Sequence, residues 1–168
     1  MLSVEERFRI WFDEPIDALR KLEKGHGGFV ALAIALPLFE RYNMYLNYKD
    51  GTKVSREARL ATEFNITAGA ETIWDLMRNG MLHGAAVKNG CQLDISGEHS
   101  KVFELTTDNP PIFKFHVWDF VDKVLALWRP HVSAFDWNKT FPLPNIYLRN
   151  TLAVTATTPV FVPITGVK

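Results

Sequence analysis

One cysteine, Cys91, stands among 168 residues, which excludes a disulfide framework within the chain. Metal-binding spacings are missing as well: there is no CxxC, no HxxxH and no HExxH, and the histidines at 26, 83, 99, 116 and 131 fall on separate segments. No metal and no cofactor are therefore expected. The nucleophile elbow GxSxG, the Walker loop and GxGxxG are also lacking. The Gly25-His26-Gly27-Gly28 run follows a helical pattern instead of a strand, so it reads as an interhelical loop and not as a phosphate cradle. Ser96, Glu98 and His99 share one polar turn, where such residues are expected without any chemistry. There is no excess of either charge: 19 basic and 19 acidic side chains give no general attraction to nucleic acid or to an anionic membrane, so any such binding needs a local patch. The longest apolar run, Gly27 to Phe39, has 13 residues, against about 20 for a membrane span, and reads as a buried core helix. The first residues, MLSVEERFRIWFDEP, carry acids and arginines where a signal peptide needs an apolar centre, so a cytoplasmic location with no membrane partner is expected.

What is present is the composition of a globular domain, 47% hydrophobic and 23% charged. Apolar spacing predicts a first amphipathic helix through Phe8 and Trp11, continued past Pro15 to Leu22. A long helix follows from Phe29 to about Tyr48, apolar all round in its first half and kinked at Pro37. Asp50-Gly51 turns the chain, and Ser55 N-caps a third helix that runs towards His83 with an interruption at Thr67-Ala68-Gly69. Past Gly84 the period changes to alternation, and a β-hairpin is expected over 91–107 with its turn at Ser96 to Ser100. A short strand from Ile112 to Phe115 precedes a last helix marked by Val117, Phe120, Val121, Val124, Leu127 and Trp128. The expected fold class is mostly α: an antiparallel helical bundle with a small hairpin before the last helix, occupying 1–135. Residues 136–168 are rich in proline and threonine and read as an extended arm.

Chemistry concentrates in Asp75 to Gly84, DLMRNGMLHG. At about 100° per residue, with Glu71 at 0°, Asp75 falls near 40°, Asn79 near 80°, His83 near 120° and Arg78 near 340°. Ile73, Trp74, Met77 and Met81 take the opposite, core-facing arc. Gly80 leaves room for a close approach, Gly84 follows His83 where a helix would end, and Leu82 projects into the polar arc where a partner surface would cover it. Arginine clamps phosphate, histidine moves protons near neutral pH, and an amide orients either. Together they suit a metal-free attack of a 2′-hydroxyl on the adjacent phosphorus. The plainer alternative stays open: Glu71, Asp75 and Arg78 as surface ion pairs, Asn79-Gly80 as a fraying helix end, and His83 as a C-terminal helix histidine.

The segment Arg78-Asn79-Gly80-Met81-Leu82-His83 resembles the Arg-x4–6-His motif of the HEPN superfamily, the "higher eukaryotes and prokaryotes nucleotide-binding" domains. The surrounding IWDLMRNGMLHG and the closing helix are similar to bacterial members, and the resemblance spans roughly Phe29 to Trp128. It implies a homodimer whose motif helices face each other, and a metal-independent endoribonuclease of a toxin–antitoxin or phage-defence system. His83 would then be the acid–base group, Arg78 the phosphate-binding group and Asn79 the positioner, with Gly80 and Leu82 at the dimer seam. RNA and a cognate antitoxin or other protein are the implied partners. Non-catalytic scaffold members of the family imply a second function, a dimeric module that holds a partner protein or a nucleotide.

Overall fold

In a computed structural model, residues 2–81, 90–96, 101–107 and 109–134 are described. The chain divides into two units, 1–135 and 136–168, and the second lies wholly outside the described residues. The described part is mostly helical and carries one three-stranded sheet.

Helix α1, Val4–Phe8, starts from a capping box: Glu6 N–H donates to Ser3 Oγ at 3.1 Å, and Ser3 N–H donates to Glu6 Oε2 at 2.7 Å. A π-helical turn, Arg9–Asp13, leads into α2, Glu14–Arg20, which takes Pro15 in its first turn where a missing N–H does no harm. Lys24 and Gly25 then adopt positive φ and reverse the chain. The glycines that follow serve packing. A Cβ on Gly27 would lie 2.0 Å from the Leu19 carbonyl oxygen, and one on Gly28 would lie 2.7 Å from Ile95 Cγ2.

Helix α3, Gly28–Asp50, is the axis of the domain. Ala31, Leu32, Ala35, Leu36 and Phe39 are fully buried, while the helix continues through Pro37, which is exposed. Gly51, at φ 65°, ends it in the left-handed conformation that glycine adopts without strain. Asn47 then holds the next loop: its Nδ2 donates to Val54 O at 2.8 Å, and its Oδ1 accepts from Val54 N–H at 3.0 Å and from Thr52 Oγ1 at 2.9 Å.

Helix α4, Arg56–Glu63, begins where Ser55 Oγ accepts from Ala58 N–H at 3.1 Å, as the sequence predicts. Residues 64–69 break the path, and α5, Ala70–Trp74, restarts from Gly69 at φ 81°. Asp75–Asn79 forms a second π-helical turn.

Strands β1, Cys91–Asp94, β2, Phe103–Leu105, and β3, Phe113–His116, form the sheet in the order β1-β3-β2. β1 runs parallel to β3, with Leu93 opposite Phe115, and β2 runs antiparallel to it, with Phe103 opposite Phe115. This corrects the expected hairpin over 91–107, because its two strands flank β3 and do not pair with each other. β3 takes the centre because it feeds directly into the core helix and carries the strand residues buried deepest, Phe115 at 0% and His116 at 1% exposure. The hairpin that forms joins β2 to β3, where Thr106 N–H donates to Ile112 O and Ile112 N–H donates to Thr106 Oγ1, both at 2.9 Å.

Helix α6, Val117–Trp128, packs on α3, and Trp128 Nε1–H donates to Leu38 O at 2.9 Å inside the core. Its buried face uses Leu125, where the apolar spacing had suggested the half-buried Leu127. Phe39, Phe64, Phe103, Phe115 and Phe120 form one aromatic cluster between α3, β2, β3 and α6, with ring centroids 5.1–6.3 Å apart. Burying each such ring contributes about 1.5–3 kcal/mol. No described helix is long and apolar enough to cross a membrane.

Candidate functional site

The polar residues of the third helical segment form a chain of hydrogen bonds. Asn79 Nδ2 donates to Asp75 Oδ1 at 2.6 Å, and Arg78 Nη1 donates to Asn79 Oδ1 at 3.0 Å. Arg78 Nε then reaches Glu40 Oε1 on α3 at 2.8 Å, and Arg56 Nη1, at the start of α4, meets the same oxygen at 2.9 Å. Two carboxylates, two guanidiniums and one amide thus alternate along a charge-balanced line. Both amide groups of Asn79 are matched, donor to carboxylate and acceptor to guanidinium, so Arg78 is oriented from two sides. The Arg78 side chain is 23% exposed and that of Glu40 20%. This burial strengthens the pair relative to a solvated one, and still leaves the guanidinium in contact with solvent.

Asp75, Arg78 and Asn79 are brought together here. Glu71 is not: it is exposed at the start of α5 and lines a shallow concavity of about 360 Å³ with Ser55, Glu57 and Thr72. Gly80 is buried within the single chain. Leu82 and His83 lie outside the described residues. The helical projection assumed uniform α winding, whereas Asp75–Asn79 is π-helical. A π turn adds a residue to the turn and is often found at functional sites.

Sequence reasoning missed Glu40 and Arg56. Glu40 opens the stretch ERYN, where α3 passes from apolar to mixed residues, and that change of character was its only signal. Nothing local assigns it to an arginine 38 positions away.

A second charged cluster lies on the sheet. Asp94 Oδ2 meets Lys114 Nζ at 2.9 Å and lies 3.7 Å from His116 Nδ1, while Glu104 Oε2 lies 3.6 Å from His116 Nε2. The Ser96 hydroxyl donates to Asp94 Oδ1 at 2.6 Å, and the Ser96 N–H donates to the same oxygen at 2.8 Å. These bonds, the hydroxyl first, together with Lys114, hold the Asp94 carboxyl well below the usual range. The same contact with Asp94 raises the Lys114 ammonium. Among the described residues no group of three or more His, Cys, Asp or Glu side chains is arranged to hold a metal ion. Burial pushes the Cys91 thiol up to about 11, so it is protonated and unreactive at neutral pH.

No family model, no curated protein and no solved structure matches this chain. The fold and the site define a mostly helical domain with an oriented, half-buried arginine on a π-helical turn.

Proposed function

We propose that the chain is a HEPN-like, homodimeric endoribonuclease of the cytoplasm that cleaves RNA without a metal ion. The 2′-hydroxyl attacks the adjacent phosphorus, the bond to the 5′-oxygen breaks, and a cyclic phosphate is left. His83 takes the proton from the nucleophile and returns one to the leaving oxygen, while Arg78 neutralises charge developing on the phosphoryl oxygens. Asn79 and Asp75 position Arg78. The observation that supports this reading is the Asp75–Asn79–Arg78 hydrogen-bond chain, which pre-orients a guanidinium five residues before the histidine. A toxin of a toxin–antitoxin or phage-defence pair, held by a cognate antitoxin, is the proposed setting.

The test is RNA cleavage in chelator by wild type and by His83→Ala, whose loss is expected to slow the reaction by about 10²–10⁴-fold. Equal rates, or no cleavage by either protein over varied RNAs, would sink the proposal. A second reading, a non-catalytic dimeric module that holds a partner protein or nucleotide, is favoured by the Glu40 ion pair, which ties Arg78 into the fold. On that reading Arg78→Ala alters dimer mass or partner capture and leaves RNA untouched. A monomer in sedimentation would contradict both readings.

A further inference from the structure

A cavity of about 700 Å³ opens between the α4–α5 connection, β2, β3 and α6, on residues that the proposed chemistry does not use. Its size lies within the roughly 300–1,000 Å³ range of small-molecule sites. Phe64, Phe103 and Phe113 form its apolar wall. All three are half-buried, unlike Phe39, Phe115 and Phe120 deeper in the same aromatic cluster, which are 0% exposed. The outer edge of the cluster is therefore incompletely covered, and a flat ring laid against it would gain aromatic contact.

Four charged side chains line the cavity. Glu63 is already matched by Arg59 at 3.9 Å and by the Tyr42 hydroxyl. Asp119 keeps its Oδ2 out of solvent contact and without a hydrogen-bond partner among the described residues. Lys101 and Lys123 are different: both are exposed and neither enters an ion pair among the described residues. Two exposed ammoniums therefore stand beside an aromatic wall, against the single half-buried carboxylate of Asp119.

We infer that this cavity binds a small aromatic anion, with its ring against Phe64 and Phe103 and its carboxylate or phosphate between Lys101 and Lys123. The site is independent of the Arg78 chain. The probe is 1-anilinonaphthalene-8-sulfonate, titrated by fluorescence into the full chain, with neutral N-phenyl-1-naphthylamine as its uncharged counterpart. Saturable binding is expected, weakened about tenfold by Lys101→Ala and by Lys123→Ala, the loss of one charge-assisted contact each. The neutral probe should not respond to either lysine. Ala68→Trp, an exposed position on the cavity lining, should abolish binding of both probes while cooperative unfolding is retained. Displacement by 1-naphthoate assigns a carboxylate ligand, and displacement by adenosine 5′-monophosphate a phosphate. No saturable binding, equal binding in the lysine variants, persistence in Ala68→Trp, or displacement by neither competitor would overturn the inference.

Discussion

The polar chain through Arg78 and the charged cluster around His116 use similar parts, carboxylates paired with cationic or titratable side chains, in two different solvents. Arg78 is 23% exposed, whereas His116 is 1% exposed between carboxylates supplied by the two strands that flank it. One group can meet a ligand. The other is sealed from solvent, between the carboxylates of β1 and β2. Burial, more than residue type, separates a candidate site from a structural fastening. The helix side also orients its cation with a neutral amide, while the sheet side fixes its carboxylate with a serine turn and a lysine.

The two regions can be driven apart by mutation. Under the sheet, Phe115→Ala removes a fully buried ring from the aromatic cluster and should cost about 3–5 kcal/mol. Urea unfolding would show it as a lowered midpoint with an unchanged slope. Asp94→Ala takes away the partner of Lys114 and the acceptor of Ser96, and a loss of about 2 kcal/mol is expected from the same measurement. The pH dependence separates the clusters further. Because the folded-state pKa of Asp94 is depressed, its contribution is fully present above the unfolded value of about 3.9 and is lost as pH falls from there through the folded value. The stability gap between wild type and Asp94→Asn should therefore be wide near about pH 6 and start to narrow only below about pH 4, closing as the folded value is approached. Glu40→Gln keeps the shape and removes the charge that Arg78 and Arg56 share; about 1 kcal/mol should go, and Asp94 should titrate as before. At the small end, Arg9→Ala deletes a surface pair with Glu14 whose side chains are about half exposed, and thermal unfolding should register a change within about 0.5 kcal/mol.

Where local chemistry decides the backbone, the sequence was legible. Ser55 caps α4, Pro15 sits in a first turn, Gly51 ends α3, and the break at Thr67-Ala68-Gly69 separates α4 from α5. Each depends on a residue and its neighbours within one turn of chain. The sheet was legible as strands and not as pairings. Alternation marks Leu93, Phe103 and Phe115 equally, and only the tertiary attachment of β3 to α6 puts the last of these in the middle. At the candidate site, Asp75, Arg78 and Asn79 were readable because they share one short segment. Glu40 was not, since an ion pair across 38 positions leaves no periodic trace, and neither was the π turn, which shifts the angular positions that uniform winding assigns. The close packing of Gly25, Gly27 and Gly28 against Leu19 and Ile95 is not readable locally, because it needs the third dimension.

The division between a working site and a fastening is tested most directly by comparing Arg78→Ala with Asp94→Asn in one RNA-cleavage assay under chelator, each variant's stability being measured alongside. The account predicts that Arg78→Ala loses about 10²-fold or more in cleavage rate while remaining folded, and that Asp94→Asn cleaves at the wild-type rate from a less stable fold. Wild-type cleavage by Arg78→Ala, or an equal loss of rate in both variants, would contradict it.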